Sequence, residues 1–82
     1  MTHRLVSPES LGLALRTERK KKSLTQKAVG HQVCMEQHTI SKVEKGNPGT
    51  TLNTLFRLLA ALDLELVIQP CQKNEKVEGD SW

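Results

Sequence analysis

Apolar positions along this chain recur at intervals of three and four through four successive stretches, and near the end they begin to alternate. The first spacing puts side chains on one face of an α-helix, and alternation puts them on one face of a strand. The first stretch opens at "SPES". Ser7 offers a capping hydroxyl, Pro8 takes the first helical position, where a missing N–H costs nothing, and Leu11, Ala14 and Leu15 form the apolar face of a helix running to about Lys22. Ser23 and Leu24 connect it to a second helix, 25–33, capped by Thr25, with Ala28, Val29 and Val33 turned inward. Ala28 stands where a Glu would complete a capping box, so this cap is half present. A turn at Cys34–Glu36 leads to a third helix over about 37–45, with Ile40 and Val43 inward and Gly46 as its stop. "GNPG" at 46–49 reads as turn, and Thr51 caps a fourth helix whose Leu52, Leu55, Phe56, Leu59 and Leu62 keep the helical period.

After Asp63 the period changes. Leu64, Leu66 and Ile68 alternate with Glu65, Val67 and Gln69, and Pro70 ends the run, which predicts a short strand over 64–68; the competing reading extends the fourth helix through it. A lone strand leaves its backbone groups unpaired, and the sequence holds no second strand. Pairing with the same segment of a second copy, through Leu64, Leu66, Val67 and Ile68, resolves this. The expected fold is therefore all-α, about four helices, with one C-terminal strand forming a two-stranded sheet across a homodimer. Residues 7–68 make the folded domain, and 69–82 have the polar composition of a flexible tail.

Composition sharpens this picture. Eighty-two residues lie near the lower limit for an independent core, so a metal, disulfides or a second subunit is expected to help. Cys34 and Cys71 are too few for a disulfide framework. No apolar run approaches the roughly 20 residues of a membrane span, and residues 1–9 lack the apolar stretch of a signal peptide, so a soluble cytoplasmic protein is expected. By elimination, oligomerisation is the expected stabiliser. The net charge of +3 is unevenly spread: residues 16–45 carry eight Lys/Arg against three Glu, whereas the tail from Gln69 holds two Lys and three acids. Positive charge gathered on the helical part fits a polyanion footprint, although "RKKK" alone is more often a solvated face.

The stretch "TQKAVGHQVCMEQHTISKVEKG", 25–46, sets two short helices either side of a three-residue turn. Small residues, Ala28 and Gly30, allow close approach, and Val29, Val33, Ile40 and Val43 fill the angle between the helices. This is the layout of a helix-turn-helix, whose second helix can enter a DNA major groove while the first crosses the backbone. Thr25, Gln26, Val29, Thr39, Ile40, Ser41, Glu44 and Gly46, with "TTLNTLFRLLAAL" downstream, resemble the Xre/Cro/lambda-repressor type of DNA-binding domain. The "SP" at 7–8, the strand after "ALDLEL", the polar tail and the terminal Trp82 narrow the resemblance to the HipB family of antitoxins, operator-binding autorepressors that partner HipA-type kinase toxins.

That resemblance implies roles for particular residues. Gln37, His38 and Ser41 are the expected base readers, with Glu36 at the start of the reading helix. A glutamine can bond adenine N6 and N7 together, and His38 can donate to a guanine acceptor. Thr25 and Gln26 are expected to hold a phosphate at a helix N-terminus, with Lys27, Lys42, Arg16 and Arg19 as further phosphate partners. Arg19 has an equal second reading, as the partner of Glu44 inside the domain. Three positions depart from the family: Cys34 where Gly is usual in the turn, Gly30 where Ala is common, and Glu36 where a Ser, Thr or Lys is common. Glu36 loses a cap and brings negative charge toward DNA, where two readings stay open: a base reader accepting from cytosine N4, or simple repulsion.

Other chemistry fares worse. His31, Cys34 and His38 lie close in sequence, but a structural zinc site needs four ligands and no good fourth stands nearby; no cofactor is expected. Catalysis lacks an orienting third group beside Cys34 and His38. Three readings remain: an antitoxin-repressor that binds DNA as a dimer and docks a kinase toxin, a stand-alone phage-type repressor, and an interaction module that has lost DNA binding. Trp82 bears on the first. Tyr is absent and Phe occurs once, yet the single Trp ends a polar tail, a placement that suits an anchor for a toxin pocket.

Overall fold

The computed structural model describes residues 3–71. Trp82 and nearly all of the expected tail lie outside the described residues. Four helices follow in order: α1 (Pro8–Lys21), α2 (Gln26–Val33), α3 (Gln37–Glu44) and α4 (Leu52–Ala61). None of them is long and apolar enough to cross a membrane. Their N-termini follow from local chemistry. Ser7 accepts from the Ser10 N–H at 3.1 Å while the Ser10 hydroxyl accepts from the Ser7 N–H at 3.0 Å, a capping box closed by a serine in place of the usual Glu. Thr25 and Thr51 cap α2 and α4 by accepting from Ala28 N–H and Thr54 N–H. Glu36 precedes α3 with no side-chain cap.

The C-termini share one device. The residue after each last turn stands in the left-handed region: Ser23, Cys34, Gly46 and Asp63, with φ of 58°, 55°, 86° and 58°. The next N–H then reaches back across the turn. Leu24 donates to Arg19, Met35 to Gly30, Asn47 to Lys42 and Leu64 to Leu59, at 3.2, 2.8, 3.1 and 2.8 Å. These are Schellman closures, which satisfy helix-end carbonyls and turn the chain sharply. Three of the four donors, Leu24, Met35 and Leu64, are apolar and pack against the core, so each reversal also buries a side chain.

The core joins all four helices through Leu15, Val29, Ile40, Val43, Leu55, Leu58, Leu59 and Leu62. Each such side chain contributes about 1.5–3 kcal/mol on burial. Gly12 sets how closely α1 meets α3, because a Cβ there would lie 2.5 Å from the Val43 carbonyl oxygen. Three expected core positions are corrected. Ala28 is exposed, Leu52 is 68% exposed and Phe56 is 52% exposed, while Leu58, missed by the pattern, is buried. The reason is rotational: α4 is apolar on more than one side, and Phe56 stands roughly 100° round the helix from Leu55. Residues 64–68 do not extend α4, since Asp63 reverses the chain. Among the described residues there is no strand, and the outer part of this segment is bare, with Val67 at 70% and Ile68 at 99% exposure.

Candidate nucleic-acid interface

The site is built on the α2–turn–α3 unit. Cys34 keeps the turn in the left-handed conformation (φ 55°, ψ 50°) that glycine adopts without a Cβ penalty. Gly30 accommodates the turn from within α2: a Cβ there would meet the Met35 carbonyl oxygen at 2.4 Å. The two positions are joined directly, because the Cys34 N–H donates to the Gly30 carbonyl. Ile40 and Val29, each 1% exposed, fill the angle between the helices.

A polar chain runs through this unit from the buried interior to its surface. Arg19 on α1 is 7% exposed, and its guanidinium donates to both Glu44 carboxylate oxygens, through Nε at 2.7 Å and Nη2 at 3.0 Å. Its Nη1 donates to the Leu24 carbonyl at 2.8 Å. Glu44 also accepts from Gln26 Nε2 at 3.0 Å, and Gln26 Oε1 accepts from Gln37 Nε2 at 3.4 Å. Burial by itself would push the Glu44 carboxyl up. The bonds from Arg19 and Gln26, with the charges of Arg19 and Arg16, outweigh it and hold the carboxyl below its ordinary value. Of the two readings open to Arg19 the structure shows the interior pairing, with every guanidinium nitrogen donating within the domain.

The remaining expected residues distribute as follows. Glu36, Gln37 and His38 are exposed at the start of α3, and Ser41 is half-buried one turn further on. Thr25 and Gln26 lie at the start of α2, with Thr25 already engaged in capping and Gln26 tied to Glu44 and Gln37. Arg16, Lys27 and Lys42 are exposed. One residue that sequence reasoning missed is Arg57 on α4, whose Nη2 donates to the Val33 carbonyl and, at 3.4 Å, to the Cys34 carbonyl. No pattern pointed to it, because its partners are backbone atoms 24 and 23 positions away.

Chemically, the unit presents an amide edge tied to a buried ion pair, with exposed cations at Arg16, Lys27 and Lys42. A glutamine anchored at one end leaves less rotamer freedom to lose on binding a base edge. Comparison with known proteins bears on the fold that carries this unit. The helix-turn-helix family model matches residues 15–68. The antitoxin HipB of Escherichia coli (strain K12) is 31% identical over 65 residues, covering 79% of this chain and 74% of that protein. Among solved structures, the chain superposes on HipB in a HipB–O4 20mer complex with a TM-score of 0.82 and 28% identity, covering 87% of this chain and all of the other. A HipA–HipB–O2–O3 complex gives a TM-score of 0.81, again at 28% identity and with the same coverage.

Proposed function

The chain belongs to the helix-turn-helix family of HipB-type antitoxins, and from that premise we propose that it binds operator DNA as a homodimer, represses its own operon and docks a HipA-type kinase toxin. The observation that carries the DNA-binding part is the Arg19–Glu44–Gln26–Gln37 chain, which fixes a base-reading amide at the exposed start of α3. In this reading Gln37, His38 and Ser41 face base edges, with Glu36 beside them. Thr25 and Gln26 hold a phosphate at the α2 N-terminus, and Arg16, Lys27 and Lys42 bind phosphates on either side. Two copies set their α3 helices in successive major grooves of a pseudo-palindromic site, about one turn apart.

Dimerisation is assigned to the bare apolar segment after α4. Leu64 is anchored on the core, while Leu66, Val67 and Ile68 are 43%, 70% and 99% exposed. As a strand paired with its copy, this segment would satisfy its backbone and cover those side chains. Trp82 is assigned to the toxin: a large ring on a polar tail serves as a binding anchor.

Two truncations separate these parts. A chain ending at Leu62 is expected to sediment as a monomer, whereas a chain ending at Ser81 is expected to stay dimeric, bind DNA as before and lose affinity for the kinase. A dimer that survives the first truncation refutes the shared strand. Unchanged kinase binding after the second removes Trp82 from the interface.

A further inference from the structure

We infer that Arg57 is a positioning residue for DNA reading: from α4 it holds the turn that sets α3 against α2. The inference rests on the DNA-binding proposal above and deepens it. An α-helix ends with carbonyls that have no partner within the helix, and with partial negative charge. In α2 the Gly30 carbonyl takes the Cys34 and Met35 N–H groups, and the Val33 carbonyl is left to Arg57. The same Nη2 also reaches the Cys34 carbonyl, so one cation spans the last helical residue and the left-handed residue that begins the turn.

This turn needs an outside hold. Its left-handed position carries a Cys, whose Cβ is crowded in that conformation as a glycine would not be. Its far side is already tight against Gly30, where no Cβ fits beneath the Met35 carbonyl. Arg57 brings a guanidinium from α4 to this helix end, where the carbonyls carry partial negative charge. A slip of the turn would move Gln37, which begins α3 three residues after Cys34, relative to Gln26 on α2. Base readers and phosphate holders would then lose their common register, and specificity would fall before non-specific affinity did.

The test uses the full-length chain as wild type, Arg57→Ala and Arg57→Lys. Fluorescence anisotropy is read on the duplex that the wild type selects from a random pool and on a scrambled duplex of the same composition, with circular dichroism confirming that each variant is folded. For Arg57→Ala, affinity for the selected duplex is expected to fall about fivefold, affinity for the scrambled duplex to change less than about twofold, and the salt slope to stay unchanged. Arg57→Lys, which keeps the charge, is expected to recover part of the ratio, and it carries the comparison should the alanine variant not fold. Equal weakening on both duplexes with a shallower salt slope would make Arg57 a phosphate contact, and a preserved ratio would leave it a stabilising cap; either result overturns the inference. A wild-type protein that selects no sequence defeats the DNA-binding proposal itself, and does so before any variant is made.

Discussion

A guanidinium that is 7% exposed requires a counter-charge, and Arg19 finds it in Glu44 through two parallel bonds. Arg19→Ala strands a buried carboxylate, and is expected to destabilise the fold by about 3–5 kcal/mol in urea titration, with Arg16→Ala, at an exposed position, costing less than about 0.5 kcal/mol. The pH dependence has a definite sign. The Glu44 carboxyl is held below its ordinary 4.5, so the pair's contribution is complete above that value and is lost as pH falls through the lower folded-state value. Glu44→Gln should flatten that acid limb of the stability curve; an unchanged limb would mean that the carboxylate is not the group being titrated. Sequence alone left Arg19 between two roles, because the spacing of Arg19 and Glu44, 25 residues apart, does not say which way a long side chain turns. Phe56 and Leu58 show the same limit. On a helix apolar on several sides, periodicity alone admits both, and packing against α2 decides which is buried.

Helix starts were legible in the sequence because they depend on residues three apart: Ser7, Thr25 and Thr51 all cap where their position indicated, and the missing cap at Glu36 was legible too. Helix ends were harder to read. Of the four left-handed positions only Gly46 carries the usual glycine, while Ser23, Cys34 and Asp63 adopt the conformation because the apolar residues that follow Ser23, Cys34 and Asp63 are drawn onto the core. This makes opposite predictions for two neighbouring positions. Cys34→Gly removes the left-handed penalty and is expected to stabilise by about 0.5–1 kcal/mol, a rise of a few degrees in Tm. Gly30→Ala improves helix propensity, yet it is expected to lower Tm, since the new Cβ meets a backbone carbonyl at 2.4 Å that no rotamer change can move. A stabilised Gly30→Ala, read by thermal unfolding, would mean that the turn is less closely held than its geometry indicates.

At the scale of the whole molecule two surfaces stand apart. One is apolar: a groove of about 310 Å³ lined by Leu5, Pro8, Leu11, Leu52, Leu55 and Leu66, with Val67 and Ile68 bare on the chain beyond it. The alternation at 64–68 pointed to the second copy proposed here as partner for this segment, since the described residues of one chain hold no strand for it to pair with. The other is the exposed positive charge of residues 16–45. The surplus of positive charge in residues 16–45 survives the loss of Arg19 to the interior, since Arg16, Lys20, Lys21, Lys22, Lys27, Lys42 and Lys45 all remain exposed. The central claim is that this surface meets phosphates while Gln37 reads bases, and a salt series on the selected duplex tests it most directly. For the wild type, affinity is expected to fall about a thousandfold or more between about 50 and 200 mM salt, and Gln37→Ala is expected to keep that slope while losing the preference for selected over scrambled DNA. A flat salt response, or a Gln37→Ala protein that still prefers the selected duplex, would contradict it.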